Sequence, residues 1–281
     1  MTEIPQTVLR AAAERMATLE AIIPALGHML LNMQQGDLGI STKTNDMDLV
    51  TRADVASEEM ILNHIRKAFP GDKILAEESA TVGTRTKADD EFTWIIDPVD
   101  GTINYAHGLP LFGVCFGLMY GNTPVAGTVD CPALGDTYRA VLGQGATKNG
   151  APISVSSQTD LSRALIVTGF PYNRVEIMSE LMQALQGVML NARGIRRTGV
   201  ASVDFCWLAE GRFDGYYEMN LAPWDTCAGG VIAQEAGGRI TDLDGLPFDP
   251  FRRVFVTSNG RLHERLLEVL TPLKAVAPPA K

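Results

Sequence analysis

The string Trp94-Ile95-Ile96-Asp97-Pro98-Val99-Asp100-Gly101-Thr102 constrains this chain more than any other feature. Its aromatic and aliphatic start reads as a buried strand. Buried strands do not run into two carboxylates unless something offsets the charge. Pro98 sets a turn across which Asp97 and Asp100 can converge, with the Val99 carbonyl pointing between them. Carboxylate and carbonyl oxygens are the donors that hard cations such as Mg²⁺ prefer. Gly101 and Thr102 open a short helix, whose free amides can hold a phosphate. Asp-Gly alone is an ordinary turn with a capping Asp. The whole nine-residue string is far more specific.

Two further segments carry acids in similar settings. Ile74-Leu75-Ala76-Glu77-Glu78-Ser79 ends an apolar strand on adjacent carboxylates, which in isolation would be a solvated strand end. Pro223-Trp224-Asp225 precedes the helical stretch Thr226–Ala236, which stops at Gly237-Gly238. Asp225 there can cap the helix and still ligate a metal. The composition leaves room for such use, with 33 acidic against 24 basic residues and a net charge of −9. That balance excludes a dedicated nucleic-acid binder and electrostatic docking on anionic membranes.

The remaining polar chemistry is sparse. The cysteines at 115, 131, 206 and 227 form no C-x-x-C pair and read as small buried hydrophobes in a reducing compartment. The histidines at 28, 64, 107 and 263 are scattered. Motifs of the G-x-S-x-G, H-E-x-x-H and P-loop type are absent, and Gly143–Gly150 is not a dinucleotide fingerprint. The N-terminal apolar residues are interrupted by Glu3 and Glu14, and Pro24, Gly27 and His28 break the run 21–31. No secretory signal or membrane-spanning helix is expected, and the protein is expected in the cytoplasm.

Residues 7–34 have helical spacing with a kink at Pro24, and a second helix covers 54–69 up to Pro70-Gly71. Short strands follow at 73–76, 92–96, 111–120, 124–129 and 137–142. Asn149-Gly150 then joins the runs 145–148 and 152–155 as a hairpin. The polar stretch 155–162 suggests a boundary. It divides an N-terminal α+β part, 1–158, from a C-terminal α/β part, 159–281. In the latter, strands near 164–168, 193–197, 214–217 and 253–257 alternate with helices at 175–191, 201–210, 225–236 and 260–270.

Taken together, Trp94–Asn104, the segment W-D-T-C-A-G-G at 224–230 and Glu235-Ala236-Gly237-Gly238 resemble the inositol monophosphatase family of metal-dependent sugar-phosphate phosphatases. Glu77 lies twenty residues before Asp97, as the family pattern requires, and Asp48–Thr51 with Asp54 matches a further family segment. The resemblance runs from Lys43 to the helix after Ser258. It implies a layered αβαβα sandwich of the inositol monophosphatase/fructose-1,6-bisphosphatase type, a homodimer, two to three Mg²⁺ per active site and sensitivity to lithium.

It also implies roles. Glu77, Asp97 and the Val99 carbonyl would bind one Mg²⁺, Asp97, Asp100 and Asp225 a second, with Glu77 helping to hold a weaker third. Asp54, Thr102 and Glu77 would serve catalysis, with Thr102 and Asp54 orienting and deprotonating the attacking water. Gly101 and Thr102 would cradle the phosphate. Glu218, Ala201, Asp225 and Lys43 would complete the substrate site, with Glu218 accepting polyol hydroxyls. The expected reaction is hydrolysis of myo-inositol 1-phosphate or a related polyol phosphate. Fructose-1,6-bisphosphate, histidinol phosphate and 3′-phosphoadenosine phosphate are alternatives with the same mechanism. A regulatory binding protein on the same fold is a third reading, against which the intact acids argue.

Overall fold

The computed structural model describes residues 4–42, 49–79 and 90–277. The stretch expected as one kinked helix forms two, α1 (Gln6–Thr18) and α2 (Ile23–Met33), bent by 47° across a 3-10 turn at Leu19–Ala21. Pro24 explains the correction. Inside a continuous helix it would remove a backbone bond and clash with the preceding turn, whereas in the first turn of α2 its missing N–H costs nothing. No single helix among the described residues is long and apolar enough to cross a membrane. The ribbon of β1 (Ser41–Thr42) and β2 (Leu49–Val50) leads into α3 (Arg52–Ala68), which starts two residues earlier than its spacing suggests because Thr51 caps it.

Seven strands form the larger sheet in sequence order: β3 (Lys73–Ala76), β4 (Phe92–Asp100), β5 (Gly113–Tyr120), β6 (Thr123–Cys131), β7 (Asp136–Val141), β8 (Ala146–Lys148) and β9 (Ala151–Ile153). Only β3 and β4 run parallel. The helix α4 (Thr102–Ala106) fills part of the connection from β4 to β5. The β8–β9 hairpin turns through Asn149 and Gly150, both at positive φ (49° and 80°), the conformation that two-residue hairpins demand.

The second sheet comprises β10 (Leu165–Thr168), β11 (Gly194–Arg196), β12 (Gly215–Met219), β13 (Arg239–Thr241) and β14 (Val254–Ser258), in the order β11-β10-β12-β14-β13. Here β10 is parallel to both neighbours and the other pairs are antiparallel. The edge strand β13 was not anticipated, since three residues are too few to show an alternating pattern. The helices are α5 (Met178–Asn191), α6 (Ala201–Ala209), α7 (Pro223–Glu235) and α8 (His263–Val269).

Apolar faces dictate how these elements stack. α1, α2 and α3 bury Leu9, Met16, Leu26 and Ile61 against Trp94, Phe116 and Val125 of the large sheet. α6 and α7 lie between the sheets, with Phe205, Val231 and Ile232 packed among Val129, Tyr138 and Phe255. α5 and α8 close the outer face, placing Leu181, Val188 and Leu266 over Ile166 and Val256. The result is the αβαβα sandwich. Two glycines bring α7 unusually close to the large sheet. A Cβ on Gly117 would lie 2.7 Å from Cys227 Sγ, and one on Gly127 would run into the Ala228 backbone. That seating fixes where the first turn of α7 meets the end of β4.

Candidate active site

The acids of β4 owe their geometry to a bulge rather than to the turn expected from sequence. β4 continues through Asp97–Asp100, and its register against β5 shifts between Asp97, opposite Cys115, and Asp100, opposite Gly113. Three steps on β4 match two on β5, so one residue is extra. In a regular strand residues three apart face opposite ways. The extra residue brings Asp97 and Asp100 to one face. Pro98, which cannot donate to a ladder, is tolerated at such a bulge. Ser57 Oγ donates to the Pro98 carbonyl at 2.9 Å, and the Val99 N–H donates to Asp97 Oδ1 at 3.0 Å.

Helix starts position two more carboxylates and orient Asp100. Asp54 is the third residue of α3 and accepts from the Thr51 N–H (2.8 Å) and hydroxyl (2.6 Å). Asp225 is likewise the third residue of α7, not its cap as the sequence suggested, and accepts from the Ala222 N–H at 2.7 Å. Pro223 begins the helix, where proline is favoured. Asp100 accepts the Ser202 N–H at 2.6 Å, from the first turn of α6. Each carboxylate thus gains from a helix N-terminus, whose amides favour negative charge.

Thr102 stands at the centre of this group. Its hydroxyl is 3.2 Å from Asp54 Oδ1 and 3.0 Å from the Val99 carbonyl. One hydroxyl proton serves one acceptor at a time. Engaging the Val99 carbonyl elsewhere therefore commits the Thr102 proton to Asp54. Gly101 holds the turn before Thr102 at φ 87°, a left-handed conformation suited to glycine.

Electrostatics identify what the acids lack. Burial, then Glu77, Asp100 and Asp225, push Asp97 well above the usual carboxylate range. Asp225 is raised by burial and then by Asp100 and Glu77. Burial also raises Asp100, against the Ser202 side chain and the amides of Ser202, Ala201 and Gly101. Negative charge from Glu77, Asp97, Asp100 and Asp225 thus accumulates around Asp97 and Asp225, which a cation would offset. Among the described residues no three acidic, His or Cys side chains converge tightly enough to hold an ion alone. Mg²⁺ commonly uses one or two carboxylates and keeps waters. Buried carboxylates with the Val99 carbonyl beside them fit a hard divalent cation.

Of the residues expected to contact substrate, Glu218 lies on β12 two residues from Tyr216, whose hydroxyl donates to Glu218 Oε2 at 2.6 Å. Burial pushes Glu218 up to about 7, moderated by Tyr216 and Arg197. Its carboxylate rests on Gly169, where a Cβ would collide with it. Ala201 is buried as the first residue of α6. Lys43 and Asp48 lie outside the described residues. Sequence reasoning missed Glu58, buried on α3, whose Oε2 accepts the Glu78 N–H at 2.8 Å and anchors the turn carrying Glu77. It also missed Ser202 and Asp204. Glu58 and Ser202 have no local signal because their partners lie far along the chain, and the Thr198–Asp204 pair, six residues apart, matches no motif.

Comparison with known proteins shows the family. The family model for the inositol monophosphatase family matches residues 8–274. Phosphatase IMPL1, chloroplastic, from Arabidopsis thaliana is 41% identical over 231 residues, which are 80% of this chain and 62% of that protein, less than two thirds of its length. Inositol-1-monophosphatase from Synechocystis sp. is 37% identical over 265 residues, 94% of this chain and 89% of that one. The crystal structure of extragenic suppressor protein suhB from Bartonella henselae shares the fold with a TM-score of 0.83 at 32% identity, covering 91% of this chain and 97% of that chain. A match spanning nearly all of the sequence, with the same layered architecture in a solved relative, shows that this chain belongs to the inositol monophosphatase family of phosphoric monoester hydrolases.

Proposed function

We propose that the protein hydrolyses myo-inositol 1-phosphate, or a closely related polyol monophosphate, to the polyol and inorganic phosphate with Mg²⁺ as cofactor. The β4 bulge carries this reading, because it presents Asp97 and Asp100 on one face within the electrostatic reach of Asp225. Glu77, Asp97 and the Val99 carbonyl would hold one ion and Asp97, Asp100 and Asp225 a second, with Glu77 sharing a weaker third. Bound Mg²⁺ supplies charge neutralisation, water acidification and stabilisation of the leaving oxygen. The chain does the rest. Amides of Gly101 and Thr102 cradle the phosphate. Thr102 donates its proton to Asp54 and accepts a hydrogen bond from the attacking water, aligning that water with phosphorus. Glu218 accepts polyol hydroxyls, and the main chain at Ala201 and the side chains of Asp225 and Lys43 complete the substrate site. Water's oxygen bonds to phosphorus as the ester P–O bond breaks; one of the water's two protons ends on the leaving oxygen and the other stays with the released phosphate. No phosphoenzyme forms.

A neighbouring groove favours a second reading. It encloses about 440 Å³ between Ile103, His107, Phe170, Arg174 and Arg197, and Arg197 acts electrostatically on Glu218. Guanidinium groups beside the polyol site suit a second anionic group, as in fructose-1,6-bisphosphate or 3′-phosphoadenosine phosphate. A phosphate-release screen with Mg²⁺ separates the readings. The first expects the highest kcat/KM for inositol 1-phosphate among inositol phosphates, the two bisphosphates and histidinol phosphate. A faster bisphosphate would establish the second. Lithium is expected to inhibit, by occupying a cation position.

The protein is further proposed to be a cytoplasmic homodimer. Exposed Val175, Met182, Met189 and Leu190, on and before α5, offer an apolar face for a second copy. Light scattering after size exclusion reads the mass directly.

A further inference from the structure

Asp204 is a buried acid for which the proposed chemistry has no task. It is 1% exposed on α6 and accepts the Thr198 hydroxyl at 2.6 Å. That hydroxyl also accepts from the Val200 N–H at 3.3 Å. The Thr198 carbonyl in turn accepts from Asn104 Nδ2 at 2.9 Å, and the same nitrogen donates to the Leu111 carbonyl at 3.1 Å. Asn104 is buried on α4, two residues beyond Thr102. An unbroken hydrogen-bonded chain therefore links α6, the segment 197–200 and the helix that begins with Thr102.

What this chain holds in place matters. Val200 packs on the phosphate-cradling turn, since a Cβ on Gly101 would lie 2.6 Å from Val200 Cγ2. Two residues later Ser202 gives its N–H to Asp100. Gly199, between Thr198 and Val200, is at φ 86°, with the Arg197 guanidinium folded against it so that a Cβ would collide. The segment thus touches both the turn and a carboxylate of the site while contributing no reacting atom itself. Burial of a carboxylate is costly unless its hydrogen bonds are made. Burial raises the Asp204 pKa and the Thr198 hydroxyl opposes that rise. A leucine would fill such a position with less penalty, so a role in orientation accounts for the acid better than packing does.

We propose that Thr198 and Asp204 are positioning residues, which with Asn104 form a tether fixing the Gly101–Thr102 turn relative to the α6 amide that orients Asp100. Its kinetic arm rests on the phosphatase reading above, and a second readout does not. Thr198→Val removes the hydroxyl at nearly constant shape, Thr198→Ser restores it, and Asn104→Asp replaces the donor at the other end. In full-length protein with saturating Mg²⁺, Thr198→Val and Asn104→Asp are expected to lower kcat about tenfold with KM within about twofold, and Thr198→Ser to stay within about twofold of wild type. In substrate-free protein, hydrogen exchange at the Ser202 amide is expected to accelerate about tenfold in the first two variants and not in Thr198→Ser.

A merely structural role would lower Tm without this kcat-against-KM split. Wild-type kcat together with unchanged Ser202 exchange in Thr198→Val overturns the tether. So does a Thr198→Ser variant as impaired as the valine, which would implicate methyl packing. If Thr198→Val does not fold, Asn104→Asp decides by the same criteria. If wild-type protein hydrolyses no phosphomonoester, the phosphatase reading fails and Ser202 exchange alone decides the tether.

Discussion

Asp97 and Asp100 are three residues apart on β4 yet stand opposite residues only two apart on β5, Cys115 and Gly113. One bulged residue therefore turns what would be opposite-facing side chains into a pair. The pair is destabilising without a counter-charge, which sets up the first prediction.

Metal-free protein should be strained by its own site. The folded pKa of Asp97 is raised by burial and by Glu77, so the folded state binds more protons than the unfolded chain. Stability should fall as pH rises from about 4, the ordinary aspartate value, toward the raised folded value. Asp97→Asn removes this cost. In chelator-treated protein at pH 7 its Tm should exceed that of wild type, and Mg²⁺ should reverse the order. A wild-type Tm indifferent to Mg²⁺ would contradict the assignment. At a hundredfold excess over Kd the ion should add about 3 kcal/mol, or about 5 °C or more.

Glu218 gives a pH signature of substrate binding. Its carboxyl is pushed up to about 7, so it loses its charge as pH falls through neutrality. A protonated acid accepts hydroxyls poorly, and KM should therefore rise below pH 7. Glu218→Gln should raise KM at pH 8 and flatten this limb. A KM–pH profile identical in the two proteins would remove Glu218 from the substrate site.

Two glycines should fail in different ways. An alanine at Gly169 meets the free end of the Glu218 side chain, which can swing away. KM should rise about tenfold with Tm little changed. An alanine at Gly127 meets the Ala228 backbone, which cannot move without shifting α7. Overpacking of that kind costs about 1–3 kcal/mol, so Tm should fall by several degrees. Equal effects from both substitutions would argue against this seating of α7 and Glu218.

Much of this was legible before the fold was known. An apolar strand running into two acids is rare for a physical reason, so Asp97 and Asp100 stood out, Glu77 and Asp225 stood out only beside them and through the family resemblance, and Asn149-Gly150 announced its hairpin. The bulge was not legible, because Asp-Pro-Val-Asp is equally good turn chemistry and only pairing with β5 decides between them. The start of α7 was misplaced for a related reason. Asp at the cap and Asp at the third helical position both satisfy a first-turn amide, and Pro223 tips the balance. Glu58 and Ser202 act through partners on distant segments, so no local pattern marks them, while Asp204 pairs with nearby Thr198 in a spacing that matches no motif.

The carboxylates gathered at the β4 bulge are proposed to drive phosphate-ester hydrolysis through Mg²⁺. Phosphate release from myo-inositol 1-phosphate by wild type and Asp100→Asn, each with Mg²⁺ and after chelation, tests this most directly. Turnover by wild type with Mg²⁺, its loss on chelation with recovery on re-addition, and a fall of about 100-fold or more in folded Asp100→Asn are expected. Full activity of wild type after chelation, or of Asp100→Asn with Mg²⁺, would contradict the proposal.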